Sequence, residues 1–447
     1  MLLRSVLRVF HARPLDAGHT PYDAAMADWF DAARLGIFVH WGPYSAARLE
    51  PSWPMVGGVG ALPGAADLTV ADYDRLTAGW VPPPGAPRRW AELAEACGAS
   101  YAVLTTKHHD GFTLFPSAHS AHGIHATAPG RDLVGEYVEA MRERSIRVGF
   151  YFSLPDWHHP SYPAFTDAMR PYSALSYPRP APEAWARFLE DQRGQLDELL
   201  TRYGRIDLLW WDGGWERTAG EWDSAGLESF VRERQPGIVM NDRCPGIGGY
   251  GSMLHEGVIP LDPPAGPWEA CMTMDESWGP LEDGGRRKSA AELVWLVAEA
   301  AAAEGRLLLN VAPLGDGALP AWQEERLIEL AAWMAGHGEA VHGTTGAGLR
   351  AGQHYGPATR RGDRYYLVCT LAPRHTLVLR EVRGRRITSA RVLGAKGRPV
   401  ALDLRISAVE RLLYGADPLC DVLVEVPPDA LDPLATVIEL TVSGDLL

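Results

Sequence analysis

Short apolar runs alternate with amphipathic stretches from Trp29 to about residue 340, and this alternation constrains the fold more than any other feature of the chain. Leu35–His40, Tyr101–Thr106, Val148–Ser153, Ile206–Trp211, Ile238–Met240, Trp268–Met274 and Leu307–Val311 have the length and apolar content of buried strands. Between them lie stretches with helical spacing. Arg88–Cys97 is one, stopped by Gly98, and Arg131–Arg144 is another, with Leu133, Tyr137 and Met141 on one face. Glu183–Tyr203, Leu227–Arg234 and Trp322–His337 follow, and Ser289 with Glu292 forms a capping box opening a helix to about Glu304. Strand, polar loop and helix recur about seven or eight times, which predicts a (β/α)8-like barrel. A doubly wound open sheet is the alternative. It lacks its usual nucleotide signatures, since neither a GxGxxG after the first strand nor a P-loop is present.

Near Gly343 the texture changes. Tyr365–Cys369, Thr376–Leu379, Thr388–Leu393, Val422–Val426 and Thr436–Val442 read as strands between Gly, Pro and Asp turns, with no long helix among them. The expected organisation is a loose extension over 1–20, a barrel over 21–343 and a C-terminal β-sandwich over 344–447. The net charge of −14 argues against nucleic acid or an anionic membrane as partner, because phosphates would be repelled. Met1–Phe10 faintly resembles a targeting segment, but Arg4 and Arg8 break it, and no membrane span is evident. The five cysteines are odd in number and widely spaced, which favours reduced thiols and a cytoplasmic location, with secretion left open. Homo-oligomerisation is also left open.

Chemistry concentrates at the C-terminal ends of the expected strands. These ends carry His40-Trp41, Lys107-His108-His109-Asp110, Tyr151 with Asp156-Trp157, Trp210 with Asp212, and Asn241-Asp242-Arg243. Each alone has a plain structural reading, as a core histidine or a turn. Five in succession converge on one barrel mouth, where active sites are built. The fourth is the most pointed, because Asp207–Trp211 is apolar after its first residue and ends at Asp212-Gly213-Gly214-Trp215. A carboxylate at the end of a buried strand is costly unless it is paired. The two glycines allow a sharp turn and close approach of another group. Trp210, Trp211 and Trp215 offer flat surfaces suited to sugar rings. Neighbouring His108 and His109 on an extended chain should face apart, so no metal is expected. No G-x-S-x-G is present, and Cys244 and Cys271 lack motif context. The remaining inventory of carboxylates, histidines, tryptophans and an arginine fits glycoside hydrolysis by two carboxylates.

These stretches also resemble a known family, the α-L-fucosidases of glycoside hydrolase family 29. Leu35–Ser45, Leu104–Phe112, Gly149–Ser153, Leu209–Gly213, Asn241–Arg243, Met272–Met274 with Ser277–Gly279, and Leu307–Pro313 are similar to its motifs, in its order, over roughly residues 27–340. The resemblance implies that Asp212 is the nucleophile and that His40, Trp53, His108, His109, Tyr151, Trp210 and Arg243 contact fucose. It implies Glu256, in Glu256-Gly257-Val258-Ile259-Pro260, as acid/base, with Glu269 and Glu276 as competitors. The family's usual Asp shortly before that glutamate is missing from Gly249-Tyr250-Gly251-Ser252. Its Glu-Trp pair after the first strand is replaced by Glu50-Pro51-Ser52-Trp53. The implied reaction is retaining hydrolysis of terminal α-L-fucose from a fucosylated glycan, without cofactor and with the carboxyls about 5–5.5 Å apart. In that scheme Arg243 keeps Asp212 ionised and an apolar surround keeps Glu256 protonated. A glycosidase for another sugar and a decayed carbohydrate-binding protein are the alternatives.

Overall fold

The computed structural model describes residues 24–56, 68–163, 166, 168, 172, 177–252, 255–264, 266–373, 376–394, 397–414 and 417–447. The expected N-terminal extension lies outside them, as do parts of the Gly-, Pro- and Ala-rich stretch 46–64 and the Pro-rich stretch 171–182, which the sequence reads as long loops.

Seven strands form one parallel sheet: β1 (Leu35–Val39), β2 (Tyr101–Lys107), β3 (Arg147–Ser153), β4 (Leu208–Asp212), β5 (Val239–Met240), β6 (Glu269–Met272) and β7 (Arg306–Val311). Their order is β5-β4-β3-β2-β1-β7-β6. Where the row ends, a short segment spans the two edges. Gly249 N–H donates to the Met240 carbonyl at 2.8 Å, Tyr250 pairs with Asn241, and Gly251 pairs with Trp268, both in parallel sense. The sheet is therefore curved and barrel-like. β6 is shorter than the run Trp268–Met274 predicts, because Thr273 and Asp275 turn the chain out of the sheet, with the Thr273 hydroxyl on the Asp275 carbonyl.

Period-two alternation divides the strand residues between two apolar clusters. Leu35, Ile37 and Val39 of β1, Leu104 of β2, Phe150 of β3 and Leu209 and Trp211 of β4 face outward and pack under the helices. Phe38, Tyr101, Val103, Tyr151, Leu208 and Trp210 face inward and fill the lumen. The predicted helices appear at Ala86–Ala96, Leu133–Glu143, Pro182–Arg202, Ser224–Arg234, Ala290–Ala302 and Ala321–His337. The Ser289 hydroxyl accepts from the Glu292 N–H, and the Glu292 carboxylate accepts from the Ser289 N–H at 2.9 Å, so the capping box forms.

The C-terminal region holds two antiparallel sheets. One has the order β13-β12-β16-β10-β9-β8: Arg398–Pro399, Ile387–Val392, Thr436–Val442, Arg364–Cys369, Ala358–Arg361 and Thr345–Gly346. The other is β11-β15-β14: Thr376–Val382, Cys420–Glu425 and Ala401–Arg405. Alternate residues such as Leu367, Leu379, Val422 and Leu440 share a separate apolar core, as a sandwich requires. A short helix at Ala408–Tyr414 interrupts the strands, a feature the sequence reading does not contain.

Candidate active site

One cavity at the C-terminal ends of the parallel strands collects most of the expected site residues. It is lined by Phe38, His40, Glu50, Pro51, Trp53, His108, Tyr151, Trp210, Asp212, Trp215, Arg243, Glu256 and Trp278. Strand parity explains the floor. His40 follows Phe38 by two residues, and Asp212 follows Trp210 and Leu208 by two and four, so all five share the inward face.

Asp212 is buried and accepts hydrogen bonds from the Tyr151 hydroxyl at 2.9 Å and Arg243 Nη1 at 3.1 Å. His109 Nε2 lies 3.6 Å from the same carboxylate. The turn that delivers Asp212 depends on both glycines. Gly213 adopts φ +77°, and a Cβ on Gly214 would stand 2.2 Å from the Arg243 carbonyl oxygen. Close passage of the β4 and β5 loops thus brings Arg243 to Asp212. The guanidinium stacks over Trp210 at 4.5 Å, and its Nη2 donates to Glu256 at 2.8 Å. One arginine therefore spans the two carboxylates. Glu256 stands at the exposed rim, next to Gly257, whose N–H donates to the Cys271 carbonyl. Its side chain is 45% exposed and paired with a guanidinium, so the expected apolar environment is not formed: the loop after β5 turns this side chain toward Arg243 and not into the core.

The three histidines are held by their inner nitrogens. His40 Nδ1 pairs with Asn310 Oδ1 at 2.6 Å, His108 Nδ1 with Ser52 Oγ at 2.6 Å, and His109 Nδ1 with Ser153 Oγ at 2.7 Å. Burial pushes His40 and His109 down to about 3 and His108 well below its ordinary value. Neutral imidazoles, each with one donor and one acceptor, suit hydroxyl groups. The expectation that His108 and His109 face apart fails. β2 ends at Lys107, both residues lie in the turn beyond it, and their ring centroids are 4.3 Å apart. Ligand atoms of His108, His109 and Asp212 lie within 4.8 Å of one another, a spacing that could hold a metal ion. The Arg243 guanidinium beside Asp212 opposes a cation there.

The competing glutamates sit elsewhere. Glu269 opens β6 deep in the lumen, fully buried, and accepts from the Tyr101 hydroxyl, Trp210 Nε1 at 2.8 Å and the Tyr250 hydroxyl at 3.3 Å. Glu276 is on an exposed loop. Several polar strand ends prove to be framework. Asp110 accepts from the Tyr73 hydroxyl at 2.7 Å, Asp156 lies 3.8 Å from buried Lys107, and the Asn241 side-chain amide accepts from the Trp211 N–H at 2.9 Å and donates to the Trp211 carbonyl at 3.0 Å. Cys244 and Cys271 are buried, and burial pushes Cys244 up to about 12, unfit for a nucleophile.

Glu50 is the residue without an assigned role in the sequence. It is fully buried, lines the cavity and accepts from the Ser277 hydroxyl and the Trp278 N–H at 3.2 Å; burial pushes it up to about 7. Its partners are more than two hundred residues away, and the only sequence signal for the loop is the Glu50–Trp53 cluster. Trp278 lies in the Ser277–Gly279 motif and also lines the cavity.

The family model described as alpha-L-fucosidase matches residues 19–339. An alpha-L-fucosidase of Branchiostoma floridae is 32% identical over 355 residues, covering 71% of this chain and 73% of the relative. The tissue alpha-L-fucosidase of Mus musculus is 31% identical over 348 residues, 71% of each. Among solved structures, alpha-L-fucosidase isoenzyme 1 from Paenibacillus thiaminolyticus superposes with a TM-score of 0.81 at 31% identity, covering 94% of this chain and 99% of that one. A GH29 alpha-L-fucosidase of Bacteroides thetaiotaomicron, described as a trapped covalent intermediate with 2-fluoro-fucosyl fluoride, gives 0.78 at 26% identity, covering 97% and 100%. Motif order, cavity and these matches agree: the chain belongs to the α-L-fucosidase family, glycoside hydrolase family 29.

Proposed function

We propose that the protein is a retaining α-L-fucosidase that removes terminal α-L-fucose from fucosylated oligosaccharides or glycoconjugates, with Asp212 as nucleophile and Glu256 as acid/base. The carrying observation is the single guanidinium of Arg243 held between two carboxylates in one aromatic-floored cavity. Asp212 attacks the anomeric carbon as the bond to the aglycone oxygen breaks, and Glu256 gives its proton to that oxygen. Glu256, now a carboxylate, then takes a proton from water, whose oxygen displaces Asp212 and frees fucose. Arg243 and the Tyr151 hydroxyl hold Asp212 on its line of attack. Neutral His40, His108 and His109 meet the sugar hydroxyls, and Phe38, Trp210 and Trp278 meet its apolar faces. The covalent intermediate trapped in the Bacteroides relative supports the retaining path. The same reading takes Gly249–Gly251 as a degenerate eighth strand of a (β/α)8-like barrel and places the barrel–sandwich boundary near 343. Five buried, unbridged thiols support a cytoplasmic location.

Replacing Asp212 by glycine should lower turnover of an aryl α-L-fucoside by about 10³-fold or more, with partial rescue by azide. Wild-type turnover in Asp212→Gly would sink the assignment. Glu256→Ala should spare the aryl fucoside far more than a fucosyl disaccharide, because an activated phenol leaves without a proton. Glu50 supplies a second reading of the acid, since its burial in the cavity favours the protonated form. That reading wins if Glu50→Gln shows the leaving-group selectivity and Glu256→Ala does not.

A further inference from the structure

Beyond the fucose pocket, four aromatic side chains and a buried glutamate make a connected unit. Glu216, four residues after Asp212, is 2% exposed. Its Oε1 accepts from Trp157 Nε1 at 3.1 Å and from the Tyr172 hydroxyl at 2.5 Å, and its Oε2 accepts from the Tyr162 hydroxyl. The Tyr172 hydroxyl in turn accepts from Trp215 Nε1 at 3.3 Å. Three donors from the loop after β3 thus bind one carboxylate, and Trp215 of the loop after β4 joins them through the Tyr172 hydroxyl. Trp53 closes the group, meeting Trp157 at 5.5 Å and Tyr172 at 5.4 Å edge-on.

This unit borders the fucose pocket. Trp53 and Trp215 line the cavity that holds Asp212, and Trp157 lies 5.1 Å from the His109 ring. Trp53, Tyr172 and Trp215 are half-buried, whereas Trp157, Tyr162 and Glu216 are buried. Trp215 Nε1 and the Tyr172 hydroxyl are engaged inside the bond network, and both side chains keep part of their ring surface accessible. Flat apolar surface bordering a closed pocket matches the apolar face of a pyranose projecting from the anomeric carbon that Asp212 attacks.

We propose that Tyr172 and Trp215, set beside Trp53 at the edge of the fucose pocket, form a second sugar subsite, which receives the leaving-group sugar of a fucosyl disaccharide, and that Glu216 is the positioning residue that holds it together. The proposal rests on the fucosidase reading. The three described wall side chains, Trp53, Tyr172 and Trp215, are uncharged, so the wall takes a neutral sugar ring. Glu216 does not touch substrate; it acts by fixing the loop after β3 against the loop after β4.

The test compares α-L-fucosyl fluoride, whose leaving group has no ring, with neutral fucosyl disaccharides. Glu216→Gln removes acceptor capacity at constant size. It should lower kcat/KM on the disaccharides about tenfold relative to the fluoride, chiefly through KM, which corresponds to about 1.4 kcal/mol of lost binding. Tyr172→Phe keeps the ring but cuts its hydroxyl from Glu216 and Trp215, and should shift the same ratio in the same direction with only a small fall in melting temperature. Glu216→Asp should restore part of the ratio. An unchanged ratio in Tyr172→Phe and Glu216→Gln, or equal losses on both substrates, would overturn the subsite alone. Wild-type protein inert on the fluoride and on every fucosyl disaccharide would overturn the fucosidase reading and the subsite with it.

Discussion

Glu50 shows how far a side chain's chemistry depends on its enclosure. Three oriented donors, the Ser277 hydroxyl and the Trp278 and Gly279 N–H groups, do not offset its desolvation, and its pKa rises from 4.5 to about 7. Below 4.5 the carboxyl is protonated in folded and unfolded chains alike, and no penalty arises. As pH rises from 4.5 to 7 the unfolded chain ionises first, so stability falls; above 7 the loss is complete, at about 3 kcal/mol. Glu50→Gln should therefore gain on wild type by about 3 kcal/mol between pH 4 and pH 8 in urea denaturation. A pH-independent difference between the two would contradict the burial argument. His40 and His109 act in the opposite direction. Their depressed values, about 3 against 6.5, mean that stability present above pH 6.5 is lost as pH falls toward 3.

The decisive element is the end of β4. Alternation alone aims Asp212 into the lumen, since Leu208 and Trp210 already face it. The following glycines then let the β4 loop pass against the backbone of Arg243. Gly214→Ala would set a methyl 2.2 Å from the Arg243 carbonyl oxygen, so the β5 loop must move. Because that loop carries the arginine spanning Asp212 and Glu256, activity should fall more steeply than stability. We expect kcat/KM on an aryl fucoside to drop about 100-fold or more, with a destabilisation of about 1–3 kcal/mol. A variant of normal activity would show that the close passage does not position Arg243.

At the scale of the molecule, barrel and sandwich share apolar packing. Tyr366, Val368, Ala435 and Val437 of the sandwich belong to the same buried cluster as Leu327, Trp333 and Val341 at the end of the barrel. Trp333 Nε1 donates to the Ala435 carbonyl at 2.9 Å, and the Thr359 hydroxyl donates to the Ala340 carbonyl at 2.6 Å. Trp333→Ala should cost about 3–5 kcal/mol. Calorimetry should show one transition for the wild-type chain and a separation or broadening in Trp333→Ala. Two well-resolved transitions in the wild type would mean that the shared packing does not couple the two regions.

Local pattern determined the parallel strands, most of the helices packed on them, the capping box at Ser289 and the inward aim of Asp212, because each depends on spacing within a few residues. Motif order determined the family for the same reason. Tertiary structure alone decided which polar strand ends meet in the cavity and which, like Asp110, Asp156 and Asn241, hold the frame. It turned His108 and His109 to the same place, set Glu256 at an exposed rim beside Arg243, buried Glu50 against a loop more than two hundred residues away and joined Glu216 to three loop aromatics. Each of these depends on what surrounds a side chain in space. Desolvation and pairing act over a few ångströms between groups that are distant in sequence, so spacing along the chain carries no record of them.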